Sequence, residues 1–284
     1  MPAQASPLTA FFMRPARYAG KEGCDGIQAK MTGLVLSLFP GIGMFDMAFE
    51  EAGFCVVRGP DLLWSGDIRR FHPPAGRFDG VIGGPPCQHW SRLSHLVRHV
   101  YGDAKVAPDL IPEFARCIAE SRPAWWLMEE VPEAPVPDIP GFRVYSELVR
   151  DVWVGGETTR LRRFSFGTPS GRRLEIEQLA LHRPDPLPAV LASGGSWAPV
   201  ALGGSGKRKK VRRANGRIES HGIYGNKSSA YFEEARAAQG LPDGFDLPGM
   251  TVTGKIRAIG NGVPLAMGRA IAAAVVRAVA RSEE

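Results

Sequence analysis

Cys87 stands in the run VIGGPPCQHWS, Val81 to Ser91, where an apolar strand-like stretch stops at two glycines and two prolines and a thiol follows beside polar and aromatic groups. Such residues fix the backbone at the C-terminal edge of a strand, where open α/β sheets place ligands, so the thiol is expected to face a cleft. As a thiolate it would be a nucleophile. Glu129 closes the apolar run WWLMEE, and a carboxylate at the end of such a strand is expected to open into a cleft; the alternative is that it caps the turn at Pro132. In RLRRFSF, alternation puts Arg160 and Arg162 on one face and Arg163 on the other, so the pair either serves a site or forms a solvated rim. FPGIG, Phe39 to Gly43, is a turn that brings a ligand close to the backbone and a helix N-terminus, or one that needs glycine for steric reasons alone. Asp67, in GDI, either accepts a hydrogen bond from a ligand or N-caps a helix.

These side chains require a frame. LVLSLF reads as a buried strand, PGIG as a turn, and Phe45, Ala48, Phe49 and Ala52 recur at helical spacing until Gly53. FCVV, FDGVIGG, WWLMEEV and FSFG read as further strands, and LIPEFARCIAESR as an amphipathic helix between two of them. Strands alternating with helices predict an α/β domain whose mostly parallel sheet is covered on both faces. After Gly167 the chain turns to Gly, Ser, Pro and Arg clusters without a sustained period. It becomes orderly again near LPDGFDLPGM, and GNGVPLAMGRAIAAAVVRAVA predicts a turn and a long helix that packs back on the first domain. The division is therefore an aperiodic arm at 1–32, a domain at 33–167, an irregular lobe at 168–244 and a returning segment at 245–284.

Composition narrows the classes. Thirty-five Lys and Arg against 29 Asp and Glu give a net charge of +6 over 284 residues, which suits a polyanionic partner. Cys24, Cys55, Cys87 and Cys117 contain no C-x-x-C pair, so neither a zinc site nor a disulfide framework is indicated, no metal is expected, and a reducing cytosol fits. Cys55 and Cys117 read as core fillers. No apolar run approaches the ~20 residues of a membrane span, so a soluble cytoplasmic protein without a membrane partner is expected. The run KRKKVRR, Lys207 to Arg213, is either a phosphate-contacting segment or a solvated basic loop.

GGPPCQ, with FPGIG upstream, resembles the DNA cytosine-5 methyltransferase family, and further segments follow in that family's order. RPAWWLMEEV is similar to the segment carrying the catalytic glutamate, TTRLRRFSFG to the Arg-x-Arg segment, and GNGVPLAMGRAI to the C-terminal motif. The match spans roughly residues 34 to 167 and 231 to 275. The resemblance implies a Rossmann-like, doubly wound class I methyltransferase fold with a small irregular target-recognition lobe. It implies S-adenosylmethionine as cofactor, double-stranded DNA as partner, a monomer, and transfer of a methyl group to C5 of a flipped-out cytosine. Cys87 would add to C6, Glu129 would hold the base, Arg162 would contact it near O2, and Arg160 would help order the site. Phe39, Gly41, Gly43, Asp61, Asp67, Ile68, Asn261 and Val263 would line the cofactor. Gln88, Ser91, Lys207, Arg208, Lys209, Lys210, Arg212 and Arg213 would face nucleic acid. An RNA-modifying relative and a noncatalytic DNA-binding relative are the other readings.

The chain departs from the family's pattern at several positions. Glu130 follows the catalytic glutamate where asparagine is usual, and Thr158 replaces a glutamine before the Arg-x-Arg pair. The acid expected after the second strand aligns with Pro60, with Asp61 next to it. Glu233 replaces an arginine in YFEEARAAQGLPDGF, which keeps Gln239, and PEAPVPDIPGF leaves little room for the helix the family inserts there.

Overall fold

A computed structural model describes residues 32–90, 107–179, 186–187, 189–190, 209–212, 218–221 and 229–280. The arm at 1–32, apart from Thr32, lies outside the described residues, as do Ser91, Lys207, Arg208 and Arg213.

Six strands form one sheet in the order β2-β1-β3-β4-β6-β5: β1 (Gly33–Leu38), β2 (Phe54–Arg58), β3 (Gly80–Gly83), β4 (Trp125–Glu130), β5 (Arg143–Arg150) and β6 (Leu161–Thr168). The first four are parallel, whereas β6 runs antiparallel to both β4 and β5. Strand order reverses at β1, with β2 on one side and β3 on the other, and such a switch point opens a crevice at the carboxyl ends of the strands.

Helices cover both faces, as the alternating pattern predicts. On one face α1 (Met44–Glu51) and α5 (Leu265–Ala280) bury Phe45, Ala48, Phe49, Leu265, Ile271 and Val275 against Trp125, Leu127, Phe164 and Phe166. Helix α5 is the long C-terminal helix read from the sequence, and its Gly268 approaches Ala48 so closely that an added Cβ would lie 3.0 Å from the alanine methyl. On the other face α2 (Ile111–Ser121) presents Ile111, Phe114, Cys117 and Ile118, the i, i+3, i+4 spacing of one stripe, to Val81, Trp126 and Met128. Burying each such apolar side chain contributes about 1.5–3 kcal/mol relative to exposure. Pro112 suits the first turn of α2, and Arg122 in the left-handed region (φ 51) followed by Pro123 ends it. Strand β4 is buried along both faces, which explains the apolar run Trp125–Met128 that precedes its two glutamates.

Two elements depart from the sequence reading. Arg143–Arg150 is a strand although RVYSELVR shows no clean alternation of apolar and polar residues, because β5 is a sheet edge with much of its surface exposed. Cys55 is exposed on β2, the opposite edge, and is not a core filler, whereas Cys117 is buried as expected. Helices α3 (Ser229–Ala238) and α4 (Val252–Asn261) form a separate apolar cluster through Phe232, Ala235, Ile256 and Ile259, with Met44 of α1 and Val190. Helix α3 thus gives the end of the 168–244 region a regular element, and Lys209–Arg212 (β7) pairs with Ile218–His221 (β8) as an antiparallel ribbon. Together α4 and α5 are long and apolar enough to cross a membrane, but they break at Gly262–Pro264 and half of that apolar stretch is packed inside the protein.

Candidate active site

Parallel strands and one reversed strand deliver the candidate residues to a single edge. Phe39–Gly43 follows β1, Cys87 follows β3, and Glu129 and Glu130 end β4, all at carboxyl ends. Because β6 runs the other way, its first residues start at that same edge, in register with the end of β4: Glu130 lies opposite Arg163 and Glu129 opposite Phe164. The Arg-x-Arg segment reaches the site only through this reversal.

Arg162 Nε lies 2.7 Å from Glu129 Oε1, and both side chains are largely shielded, at 16% and 10% exposure. A Cβ added to Gly84 would sit 2.9 Å from Glu129 Oε2, so the GGPP turn runs directly beneath the carboxylate. Cys87 begins a 3₁₀ turn, Cys87–His89, and is half-buried. Burial pushes its thiol pKa up, the charge of Glu129 adds to this, and Arg162 opposes it. Cys87, Glu129 and Arg162 therefore form one electrostatic unit. Beyond the thiol, Gln88 is exposed, and Trp90 Nε1 donates to Asp109 Oδ1 (3.2 Å), which also accepts from the Ile111 N–H (3.0 Å) where α2 begins.

The glycine turn is shaped for close approach. Phe39 is in the left-handed region (φ 57), unusual for an aromatic residue, and Gly41 (φ 55) and Gly43 (φ 80) follow it there. A Cβ at Gly41 would meet nothing within 4 Å, so open space adjoins this backbone. Asp61 stands at this turn: Oδ2 accepts from the Gly41 N–H (2.9 Å) and Oδ1 from the Leu63 N–H (2.7 Å). The offset to Pro60 read from the sequence thus leaves an acid in contact with the turn. Trp64, which sequence reasoning missed, donates its indole N–H to the Gly41 carbonyl (2.7 Å) while remaining 55% exposed. Its signal was an aromatic residue shortly after the acid. Asp67 caps the 3₁₀ turn Ile68–Arg70 and is gripped by Arg69, which draws its pKa down. The capping alternative therefore describes Asp67 in this structure. Ile68 is buried. Arg116 of α2 donates to the carbonyls of Ile68 (2.9 Å) and Phe71 (3.0 Å) and is itself held by Glu113 and Glu120, so this loop is tied to the helix behind it.

Arg160 does not share the exposure of Arg162. It is buried, and its Nη1 donates to the carbonyls of Gly260 (2.9 Å) and Val190 (3.3 Å). Burial, and next the charge of Arg162, lower its pKa. The Gly260 bond fixes the turn in which exposed Asn261 and buried Val263 lie. Thr158, at the family's glutamine position, donates its N–H (2.9 Å) and hydroxyl (2.8 Å) to buried Asp151, locking the approach to β6 from within. Gln239 braces the C-terminal turn from the other side by donating to the Ile259 carbonyl (3.0 Å) and accepting from the Leu265 N–H (3.0 Å). Glu233 pairs with Arg236 of its own helix.

Comparison with known proteins bears on this edge directly. The profile of the C-5 cytosine-specific DNA methylase family matches residues 64–138, the span that contains Cys87, α2 and Glu129. Over those residues the chain resembles that family. The type II methyltransferase M.NgoPII of Neisseria gonorrhoeae is 22% identical over 334 residues, covering 87% of this chain and 96% of the relative. M.FnuDI of Fusobacterium nucleatum, another type II methyltransferase, is 32% identical over 113 residues, 34% of this chain and 32% of its own. Among solved structures, a protein assigned as a DNA modification methyltransferase in an E. coli prophage superposes with a TM-score of 0.53 at 17% identity, covering 87% of this chain and 99% of its own. Methyltransferase EhMeth of Entamoeba histolytica gives 0.52 at 11% identity, covering 88% and 98%. These two likenesses establish the class I methyltransferase fold. Among the described residues no cluster of His, Cys, Asp and Glu is arranged to hold a metal.

Proposed function

We propose that this chain transfers a methyl group from S-adenosylmethionine to C5 of a cytosine flipped out of duplex DNA, through a covalent bond between Cys87 Sγ and C6. The observation that carries this reading is the shielded Glu129–Arg162 pair beside a half-buried thiol at the carboxyl edge of β3 and β4. In this reading Glu129 hydrogen-bonds N3 and the exocyclic amine, and Arg162 orients Glu129 and reaches O2. Because cytosine N3 only accepts, Glu129 would meet it carrying a proton taken up from solvent, and an uncharged Glu129 no longer opposes thiolate formation at Cys87. The thiolate would then attack C6, the C5=C6 π electrons would make C5 nucleophilic, and C5 would take the methyl group as its bond to the sulfonium sulfur breaks and S-adenosylhomocysteine leaves. Transfer of the C5 proton to water would return an electron pair to C5=C6 and expel Cys87 as thiolate.

S-adenosylmethionine supplies an electrophilic methyl group when bound. The open space at Gly41, the left-handed Phe39 and the exposed Trp64 fit a ligand with an aromatic base and a flexible polar arm. Phe39, Gly41, Gly43, Asp61 and Ile68 would hold the nucleoside side, and Asn261 and Val263 the methionine side. Asp67 would accept from the adenine amino group only on loosening its hold on Arg69. The 168–244 region would read the target, with Lys209, Lys210 and Arg212 of β7 and Gln88 of the catalytic turn facing DNA.

Tritium transfer from labelled S-adenosylmethionine to duplex DNA, single-stranded DNA and tRNA tests the substrate, and duplex DNA should be labelled. Cys87→Ser should abolish transfer while leaving the unfolding temperature near wild type. DNA containing 5-fluorocytosine should leave a covalent adduct stable on a denaturing gel; an active enzyme that forms no adduct would overturn addition at C6.

A further inference from the structure

Glu130 stands where the family carries an amide, and its surroundings do not suit an anion. It is 1% exposed at the end of β4. Its Oε2 accepts from the Val131 N–H at 2.7 Å, while Oε1 is buried without a hydrogen-bond partner among the described residues. Arg163, opposite it on β6, turns its guanidinium away to the carbonyls of Pro132, Ala134 and Pro135, which holds the turn after β4. The charged or titratable groups acting on Glu130 are Glu129 on its own strand and Arg162 and Arg163 on β6; Glu130 in turn acts on Cys87 beyond β3.

We propose that Glu130 functions as an uncharged carboxylic acid, a positioning residue that joins the end of β4 to its turn and keeps a second negative charge away from Glu129 and Cys87. A protonated carboxyl has the shape and polarity of an amide, one oxygen accepting and the other carrying a donor proton. It can therefore occupy the family's asparagine position without altering the hydrogen bond to Val131. Leaving a hydroxyl unpartnered in a buried site costs far less than leaving an anionic oxygen there. Burial first, and then Glu129, push the Glu130 pKa up to about 8, in accord with this geometry. Ionisation of Glu130 would place its charge beside Cys87 and hold the thiol protonated. The residue thereby couples nucleophile activation to pH, a consequence that rests on the reading of Cys87 and Glu129 above.

Two measurements test this separately. In protein labelled with 13C at the glutamate carboxyls, the Glu130 signal, assigned by its absence in Glu130→Gln, should titrate near pH 8; Glu130→Asp, which displaces the same signal, gives the assignment if the glutamine variant does not fold. In single-turnover methyl transfer to duplex DNA, wild type should rise with pH and then fall above 8, whereas Glu130→Gln should match wild type at pH 7 and keep its activity at higher pH. At pH 9 the wild type is expected about tenfold below the glutamine variant, since the active fraction of a single ionisation drops tenfold per pH unit. A carboxyl already ionised at pH 6, or a glutamine variant that declines together with wild type, would overturn the proposal. A chain that methylates nothing at any pH would overturn the function proposed above, and the carboxyl titration would still decide the state of Glu130.

Discussion

Replacing Arg160 with methionine is expected to destabilise the chain by about 3 kcal/mol, the low end of the range for removing one partner of a buried charged network. The estimate starts from two hydrogen bonds, one at 2.9 Å to Gly260 O and a longer one at 3.3 Å to Val190 O. Hydrogen bonds from a charged donor contribute roughly 1.5–3 kcal/mol each, and the longer of these belongs at the bottom of that range. Methionine fills much of the volume and recovers apolar contact, which offsets part of the loss, but two carbonyls lose their donor. Buried Asp151 also loses a cation that lowers its pKa. For a chain of this size 1 kcal/mol shifts the midpoint by about 2–4 °C, so thermal unfolding should fall by about 6–12 °C. Circular dichroism melts of wild type, Arg160→Met and Arg160→Lys would measure it, with lysine intermediate because it keeps the charge but only one point of donation. S-adenosylmethionine affinity by calorimetry should weaken in the same order, since the Gly260 turn carries Asn261 and Val263. A methionine variant melting within about 2 °C of wild type, below the shift of 1 kcal/mol, would refute the view that Arg160 is a structural tie.

Other perturbations separate the parts of the site. Gly84→Ala places a methyl 2.9 Å from Glu129 Oε2 and should lower methyl transfer about tenfold with little change in melting temperature, since sub-ångström misplacement at a reacting centre is costly; transfer at the wild-type rate would show that Glu129 shifts freely. Arg116→Met frees the carbonyls of Ile68 and Phe71, and should raise KM for S-adenosylmethionine severalfold while kcat at saturation changes little; a fall in kcat alone would argue against a role confined to the cofactor loop. Replacing Lys209 and Lys210 with alanine should weaken binding to all DNA sequences alike and reduce the slope of log affinity against log salt by about 0.9 per lost phosphate contact. An unchanged slope would make the ribbon a solvated loop.

The placement of the candidate residues at one sheet edge was legible because each is encoded within a few neighbouring residues. FPGIG, GGPPC and WWLMEE each combine a buried strand with the residue that leaves it, so the carboxyl edge was readable from local pattern. What was not legible depended on partners remote in sequence. Arg160 and Arg162 share a face by alternation, yet one pairs with Glu129 while the other is taken up by Gly260, one hundred residues on. Asp67 offers a free carboxylate in the sequence and is held by Arg69 in the fold. The edge strands misled in opposite directions: β5 hid behind its charged residues, and β2 exposed a cysteine that composition places inside. The departures at Thr158 and Glu130 carried no partner in one dimension; in the fold, Thr158 binds Asp151 and Glu130 accepts from the Val131 N–H at its own strand end.

The bond between Arg160 and Gly260 has a consequence for the order in which the protein is made. Synthesis proceeds from the N-terminus at about 5–20 residues per second, and the first strands and helices can begin to pack as they emerge from the ribosome. Arg160, however, has no access to Gly260 until the ribosome has added another hundred residues, and α5, which covers one face of the sheet, arrives later still. For several seconds the nascent chain carries Cys87 and Glu129 without the turn that holds Asn261 or the helix that shields β1 and β4. On the function proposed above, a chain that stopped short of residue 260 would carry Cys87 and Glu129 but lack the turn that Arg160 ties, and should transfer no methyl group.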